Sequence, residues 1–415
     1  MSKIFPIQNS SACSLKWGWN TFRMHTGTSS SCHRVKPEFV PIEQFDQFHN
    51  MPMVLADRAL MRKGEWPNGR GCEYCKTVED SGGISDRLYH NQLPDQAPLS
   101  FGESDYVVPS ISEIYLENTC DLACVYCIPQ FSSKINNELN TFGPNVIGLT
   151  PLPKLADSDR YFEKYLEWFD QHSHKLTRLS LMGGEPMLQK NLWVLLDFLK
   201  SKNNPNLEIN INSNLNSSKS TIERYVNTIK ELILNKSIKR ADIQASIDCW
   251  GPQQQFIRYG LDLDQFQNNF EYLTQHKWLR LSIHQVVTSL SIKTTNELQK
   301  HIASWKRINP RIGQEYFSVD GANYETLHSE IFGNRFFAKE LENIANNFVC
   351  NNEYDNINKS RLVGIINVQA NSNINHGRLQ KLLLTLNQLD QRRNTSWRML
   401  WPEIDEFFTE HKVYA

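Results

Sequence analysis

Leu116-Glu117-Asn118-Thr119-Cys120-Asp121-Leu122-Ala123-Cys124-Val125-Tyr126-Cys127 spaces three cysteines as C-x3-C-x2-C. Three thiolates this close can hold one iron–sulfur cluster, yet a four-iron cube has four irons to satisfy. One iron is left without a protein ligand. An open coordination position is what a catalytic metal site keeps and a structural one closes. The spacing therefore points to a cluster that binds a small molecule. Structural zinc, or coincidence, is the bland alternative for Cys120, Cys124 and Cys127.

Outward from this stretch the chain alternates strand-like and helix-like segments. Ser112–Leu116 reads as a strand leading into the cysteine loop. Arg160–Phe169 carries Tyr161, Phe162, Tyr165, Leu166 and Phe169 at helical spacing. The expected series continues with strand Leu176–Leu181, helix Asn191–Lys200, strand Leu207–Ile211, helix Ser220–Leu234 and strand Ala241–Ile247. Helix Asp264–Gln275, strand Leu279–Ser289, helix Thr295–Lys306 and strand Tyr316–Val319 complete it. Such alternation predicts an α/β fold with a parallel sheet and helices outside. Six units make a partial (β/α)6 barrel. Chemistry in parallel β/α folds gathers at the C-terminal ends of strands. The cysteine loop, Gly183–Pro186, Asn212–Asn214 and Ser246–Asp248 all fall at such ends.

The flanks read differently. Residues before about 105 lack the rhythm, are rich in Cys, Gly, Ser, Pro and Trp, and are expected to be loop-rich. Residues after about 325 read as mainly helical, and Pro94–Pro98 as a linker. The expected division is 1–104, 105–325 and 326–415, in keeping with two or three domains for 415 residues. A net charge of −1 gives no strong field for nucleic acid or an anionic membrane. Apolar stretches such as Trp193-Val194-Leu195-Leu196 are too short to span a bilayer, and Met1–Pro6 lacks the long apolar run of a signal peptide. A cytoplasmic location is the default expectation. Nine cysteines is an odd number for a disulfide framework. In a reducing compartment, clustered cysteines more often mean metal or catalysis.

The cysteine run, with aromatic Tyr126 before Cys127 and a βα pattern around it, resembles the radical S-adenosylmethionine (SAM) superfamily. The resemblance implies a [4Fe–4S] cluster on Cys120, Cys124 and Cys127 that binds SAM at its open iron. Reductive cleavage of SAM to a 5′-deoxyadenosyl radical, and hydrogen abstraction from a substrate, are implied with it. An electron donor such as flavodoxin or ferredoxin is implied as a partner. Further segments carry the likeness. Gly183-Gly184-Glu185-Pro186 resembles the glycine-rich turn that binds the SAM amino group. Glycines let backbone carbonyls approach a ligand, and Glu185 offers a carboxylate to an ammonium. Ser246-Ile247-Asp248 resembles the ribose-binding end of the fourth strand, where Ser246 and Asp248 share a face. Arg258 lies where related enzymes often pair an arginine with the SAM carboxylate. Val286–Ser289 would contact adenine, without the glycines some members have there.

A second match lies in the N-terminal region. Cys13, Gly27 and Cys32 give C-x13-G-x4-C, followed by Cys72-Glu73-Tyr74-Cys75, Glu79 and Arg87. This is similar to the auxiliary-cluster region of twitch and SPASM radical SAM proteins, although there it follows the core. It implies a second [4Fe–4S] cluster closed by Cys13, Cys32, Cys72 and Cys75, with structural zinc as the alternative. Trp17, Trp19 and Trp66 would shield it. Such regions accompany enzymes acting on ribosomally made peptides. Peptide epimerisation or crosslinking is therefore the leading expectation, with a small molecule also open as substrate. An activase that installs a radical on a partner protein and a non-catalytic electron-transfer or structural Fe–S protein are the competing classes.

Two thiols remain, Cys249 and Cys350. Each is a candidate hydrogen donor, against the commoner reading of a cysteine as a small inert hydrophobe. The stretch Leu389–Arg398 could hold an acidic group. It reads more simply as a helix end followed by an N-cap at Thr395 or Ser396, with its arginines paired to acids such as Asp390, Glu403 or Asp405.

Overall fold

Period-two alternation of apolar and polar residues runs through the longer strands Glu208–Ser213, Arg240–Ser246 and Arg280–Val287. In the computed structural model, residues 11–80, 85–92, 106–152, 158–318, 322–351 and 353–414 are described. Met1–Pro6, Pro94–Pro98 and Val319, on which expectations were placed, lie outside them. Among the described residues the strands are β1 (Trp19–Arg23), β2 (Thr28–Ser30), β3 (Glu38–Phe39), β4 (Ile111–Tyr115), β5 (Ala123–Cys124) and β6 (Arg178–Met182). They continue with β7 (Glu208–Ser213), β8 (Arg240–Ser246), β9 (Arg258–Tyr259), β10 (Arg280–Val287) and β11 (Gly313–Ser318). The fold is mixed α/β, with a parallel sheet and many helices. No described helix is long and apolar enough to cross a membrane.

The chain forms two compact units. One comprises Met1–Glu117, Lys154–Ile211 and Val226–Ala241; the other comprises Asn118–Pro153, Asn212–Tyr225 and Asp242–Ala415. In the first, β3, β2, β1, β4, β6 and β7 lie side by side in that order. β1 pairs parallel with β4, and β4 with β6. The N-terminal region, expected to be loop-rich, thus contributes three strands and the helices Ser14–Gly18, Pro52–Arg62, Cys72–Asp80 and Asp86–Gln92. Strands of two to five residues are too short to raise a periodic signal. Gly27, in the turn between β1 and β2, has φ +60°, and a Cβ there would stand 2.7 Å from the Tyr161 hydroxyl. Glycine is therefore required at that turn.

In the second unit β8, β10 and β11 run parallel, and β5 and β9 form a two-residue antiparallel ladder. The region beyond Leu327 is mainly helical. Its core gathers Phe332, Phe337, Trp397, Trp401 and Phe408, all buried. The helix His376–Arg393 ends at Asn394 in the left-handed conformation, and Ser396 is the N-cap residue of Trp397–Leu400. The Asp390 carboxylate accepts from the Trp397 backbone N–H at 3.0 Å, and Arg398 pairs with Asp405 at 3.1 Å. The tail motif is accordingly a helix stop and restart.

Candidate functional site

The loop after β4 carries Cys120, Cys124, Tyr126 and Cys127, and is pinned at several points by other residues of the second unit to which it belongs. β5 fixes Cys124 by pairing it with Arg258 in β9. Val125 N–H donates to the Ile257 carbonyl at 2.8 Å. Asp121 accepts from the side-chain amides of Asn214 at 2.8 Å and Asn216 at 2.6 Å. Cys120 N–H donates to the Ser133 hydroxyl at 3.1 Å. These bonds hold the three thiols on a defined backbone.

Asp248, just past the end of β8, lies at the centre of a buried polar knot. It accepts from Arg258 Nε at 2.9 Å and Nη2 at 3.0 Å, from the Tyr126 hydroxyl at 2.6 Å, and from the Val286 backbone N–H at 2.9 Å. Burial opposes the charge on Arg258, but the Asp248 carboxylate, with Tyr126 and Cys124, holds the guanidinium well above its usual value. Burial also pushes the Tyr126 hydroxyl well up, so it stays protonated and donating. Asp248 and Arg258, expected as separate ligands of ribose and carboxylate, are bonded to each other. The Val286 N–H, in the segment expected to face adenine, is taken by the same carboxylate.

Beside this knot Cys124, Cys127, Glu138, Gln388 and Arg393 border one small cavity. Arg393 Nε donates to Glu138 at 2.9 Å, and its side chain is only 3% exposed. Its Nη1 is buried with no hydrogen-bond partner among the described residues. Burial raises the Cys124 thiol, while Arg258 and, more weakly, Arg393 draw it down. Burial, with Cys124 close by, pushes Cys127 up to about 12.

Gly183, Gly184 and Glu185 lie in the first unit. Gly183 has φ +130°, and a Cβ there would stand 2.4 Å from the Glu117 carbonyl oxygen. Gly184 N–H donates to that carbonyl at 3.1 Å. Glu185 is buried and caps a short helical turn by accepting from Met187 N–H at 3.2 Å. Ser246 ends β8 in the second unit, in register with His284 of β10. These two and Gln244 are half-buried, while the alternate residues Ala245, Ile283 and Gln285 are buried. Parallel sheets covered on both faces read as apolar runs. This face of the two strands departs from that pattern in carrying polar residues. His284 Nε2 stands 3.1 Å from the Glu315 carboxylate.

In the first unit, Cys13, Cys32, Cys72 and Cys75 border one small cavity, together with Lys16, Trp66 and Arg87. Burial raises every one of these thiols: Cys13 to about 12, Cys72 to about 11, and Cys32 and Cys75 in the same direction. Lys16 opposes the rise at Cys13, Cys32 and Cys72. Glu79 and Arg87 pair at 2.9 Å, and the Arg87 guanidinium sits 5.2 Å from the Trp66 ring centre. No three His, Cys, Asp or Glu side chains among the described residues converge on a single-ion position.

Cys249 is fully buried, and its thiol lies 3.5 Å from the Gln254 side-chain oxygen. Burial pushes that thiol well up. Cys350 is exposed and lies away from the other thiols in sequence. The sequence reading did not single out Asp121, Asn216, Glu138 or Gln254, nor Arg393 individually. Their roles depend on partners distant in the chain, and only the Asn-rich turn after β7 hinted at any of them.

No protein-family model matches this chain, and no curated protein does. Solved structures of SuiB from Streptococcus suis align with it. The form bound to S-adenosylmethionine gives 16% identity and a TM-score of 0.37 over 72% of this chain and 62% of that one. The form bound to the precursor peptide SuiA gives 14% identity and 0.38 over 85% and 69%. SuiB alone gives 14% identity and 0.33 over 76% and 73%. The chain thus spans under two thirds of the first of these structures.

Proposed function

We propose that this chain is a radical SAM enzyme acting on a peptide. The observation that carries the reading is the pinned C-x3-C-x2-C loop, whose Cys124 and Cys127 border a cavity with an unsatisfied arginine donor. In this reading Cys120, Cys124 and Cys127 hold a [4Fe–4S] group with one open iron. Cluster and SAM together would supply a 5′-deoxyadenosyl radical for hydrogen abstraction. The chain's own residues bind, orient and exclude water. Gly183, Gly184, Glu185 and Ser246 are the proposed SAM contacts. Asp248, Arg258 and Tyr126 act as positioning residues, because their polar atoms are already engaged with one another. Cys13, Cys32, Cys72 and Cys75 would close a second cluster. Cys249, buried against Gln254, stays a packing residue.

Peptide as the substrate class rests on the resemblance of the N-terminal cysteines to auxiliary-cluster regions. A flavodoxin or ferredoxin is the proposed class of electron donor, and the cytoplasm the proposed location. Anaerobic reconstitution tests the reading. About eight irons per chain are expected with both clusters loaded, and reduced protein given SAM should release 5′-deoxyadenosine. Replacement of Cys124 by Ala should abolish that release. No 5′-deoxyadenosine from iron-loaded wild type, with or without peptides, would overturn the enzyme reading.

A further inference from the structure

Arg393 is a buried cation whose partners account for only part of its charge and donors. Glu138 takes its Nε at 2.9 Å. The Tyr259 ring lies under the guanidinium at 5.1 Å, and the Tyr259 hydroxyl donates to the Arg393 carbonyl at 3.2 Å. Tyr259 pairs in turn with Ala123, next to Cys124. The ladder that holds the cysteine loop therefore also holds this arginine. Nη1 is left buried without a hydrogen-bond partner, in a residue bordering the cavity shared by Cys124 and Cys127. A buried N–H on a charged group costs several kcal/mol when unpaired. Such a group is kept where an acceptor belongs.

We infer that Arg393 is a positioning and tuning residue of the Cys120–Cys124–Cys127 cluster, donating from Nη1 to a sulfur acceptor there. This rests on the cluster reading above. Sulfur of a reduced cluster, electron-rich and net negative, is the acceptor that a cavity lined by two ligand cysteines offers. Hydrogen bonds to sulfur and nearby charge are established levers on cluster potential. A cation and an N–H donor favour the state with one more electron, so Arg393 raises the midpoint potential. Glu138 moderates that effect by sharing the guanidinium.

The test is a redox titration of full-length, reconstituted protein, following the electron paramagnetic resonance signal that changes when SAM is added. That signal reports the cluster with the open iron and not the closed one. Arg393→Gln should move the midpoint to lower potential, and Glu138→Gln to higher. Arg393→Lys, which keeps the charge but loses the fork, should fall between wild type and Arg393→Gln. Should Arg393→Gln fail to fold, Glu138→Gln and Arg393→Lys still give opposite shifts. Iron-loaded variants with an unchanged midpoint would overturn the inference while leaving the cluster reading intact. A wild type without any SAM-sensitive signal would overturn the cluster reading itself.

Discussion

Arg258 grips Asp248 through two hydrogen bonds, Nε to Oδ2 at 2.9 Å and Nη2 to Oδ1 at 3.0 Å, with both side chains buried. Arg258 is paired in β9 with Cys124, and Asp248 also takes the hydroxyl of Tyr126. One carboxylate thus ties the cysteine loop to the end of β8. Replacing Asp248 by Ala would leave a guanidinium buried and unpaired. Removing one partner of a buried ion pair costs about 3–5 kcal/mol. Urea unfolding of Asp248→Ala should show a loss of that order, together with poor iron retention. A loss below about 1 kcal/mol would refute the knot's structural role.

Tyr126→Phe keeps the ring and deletes only the donor to Asp248. A hydrogen bond to a charged group contributes about 1.5–3 kcal/mol. Asp248 retains three other donors, so the lower end is expected. The cluster should still load, and an unfolded or iron-free variant would show that the hydroxyl does more than the geometry indicates.

Gly183→Ala places a Cβ 2.4 Å from the Glu117 carbonyl at a φ of +130°. Backbone strain of this kind costs about 1–3 kcal/mol before the clash is counted. Thermal unfolding without any ligand should already register the loss. Stability equal to wild type, with only SAM binding impaired, would mean the glycine serves the ligand alone.

Cys72→Ser combined with Cys75→Ser should remove about four irons of eight, leaving the SAM-sensitive signal. Metal analysis and spectroscopy decide this. Zinc found with the wild-type protein and lost with the double variant would replace the second cluster by a structural zinc site.

His49 gives a pH dependence. Burial, reinforced by the charge of Arg58, holds its imidazole well below the usual value, so it is neutral in the native state. Unfolded histidine binds a proton near pH ~6.5. The unfolded state then carries more protons below that value, and stability falls as pH drops from about 6.5 toward the depressed native value. Above about 6.5 the contribution is complete. His49→Gln should flatten this slope in urea titrations between about pH 7.5 and 5.5. An unchanged slope would exclude His49 as its source.

The expected strands and helices between Ile111 and Ser318 follow the sequence rhythm closely, because period-two and period-3.6 burial are local properties, whereas the helix Ser133–Phe142 and the short pair Ala123–Cys124 and Arg258–Tyr259 were not anticipated. The helix stop at Asn394 was equally legible, since capping acts over a few residues. The parallel pairing of β1 with β4 was not: Trp19 meets Ile111 across a long and compositionally unusual stretch. The chemistry divided the same way. Cysteine spacing marked both thiol sets, whereas the mutual engagement of Asp248 and Arg258 could not be read from residue types that suit either ligand binding or pairing.

Glu138 and Arg393 are separated by 255 positions. During synthesis at about 5–20 residues per second, the loop bearing Cys124 and the helix carrying Glu138 emerge roughly 13 to 51 seconds before Arg393. Throughout that interval Glu138 has been made and its partner arginine has not. Docking of the late helix completes the charge balance around the cysteines, so cluster insertion into a nascent chain meets a different electrostatic environment from insertion into the finished protein.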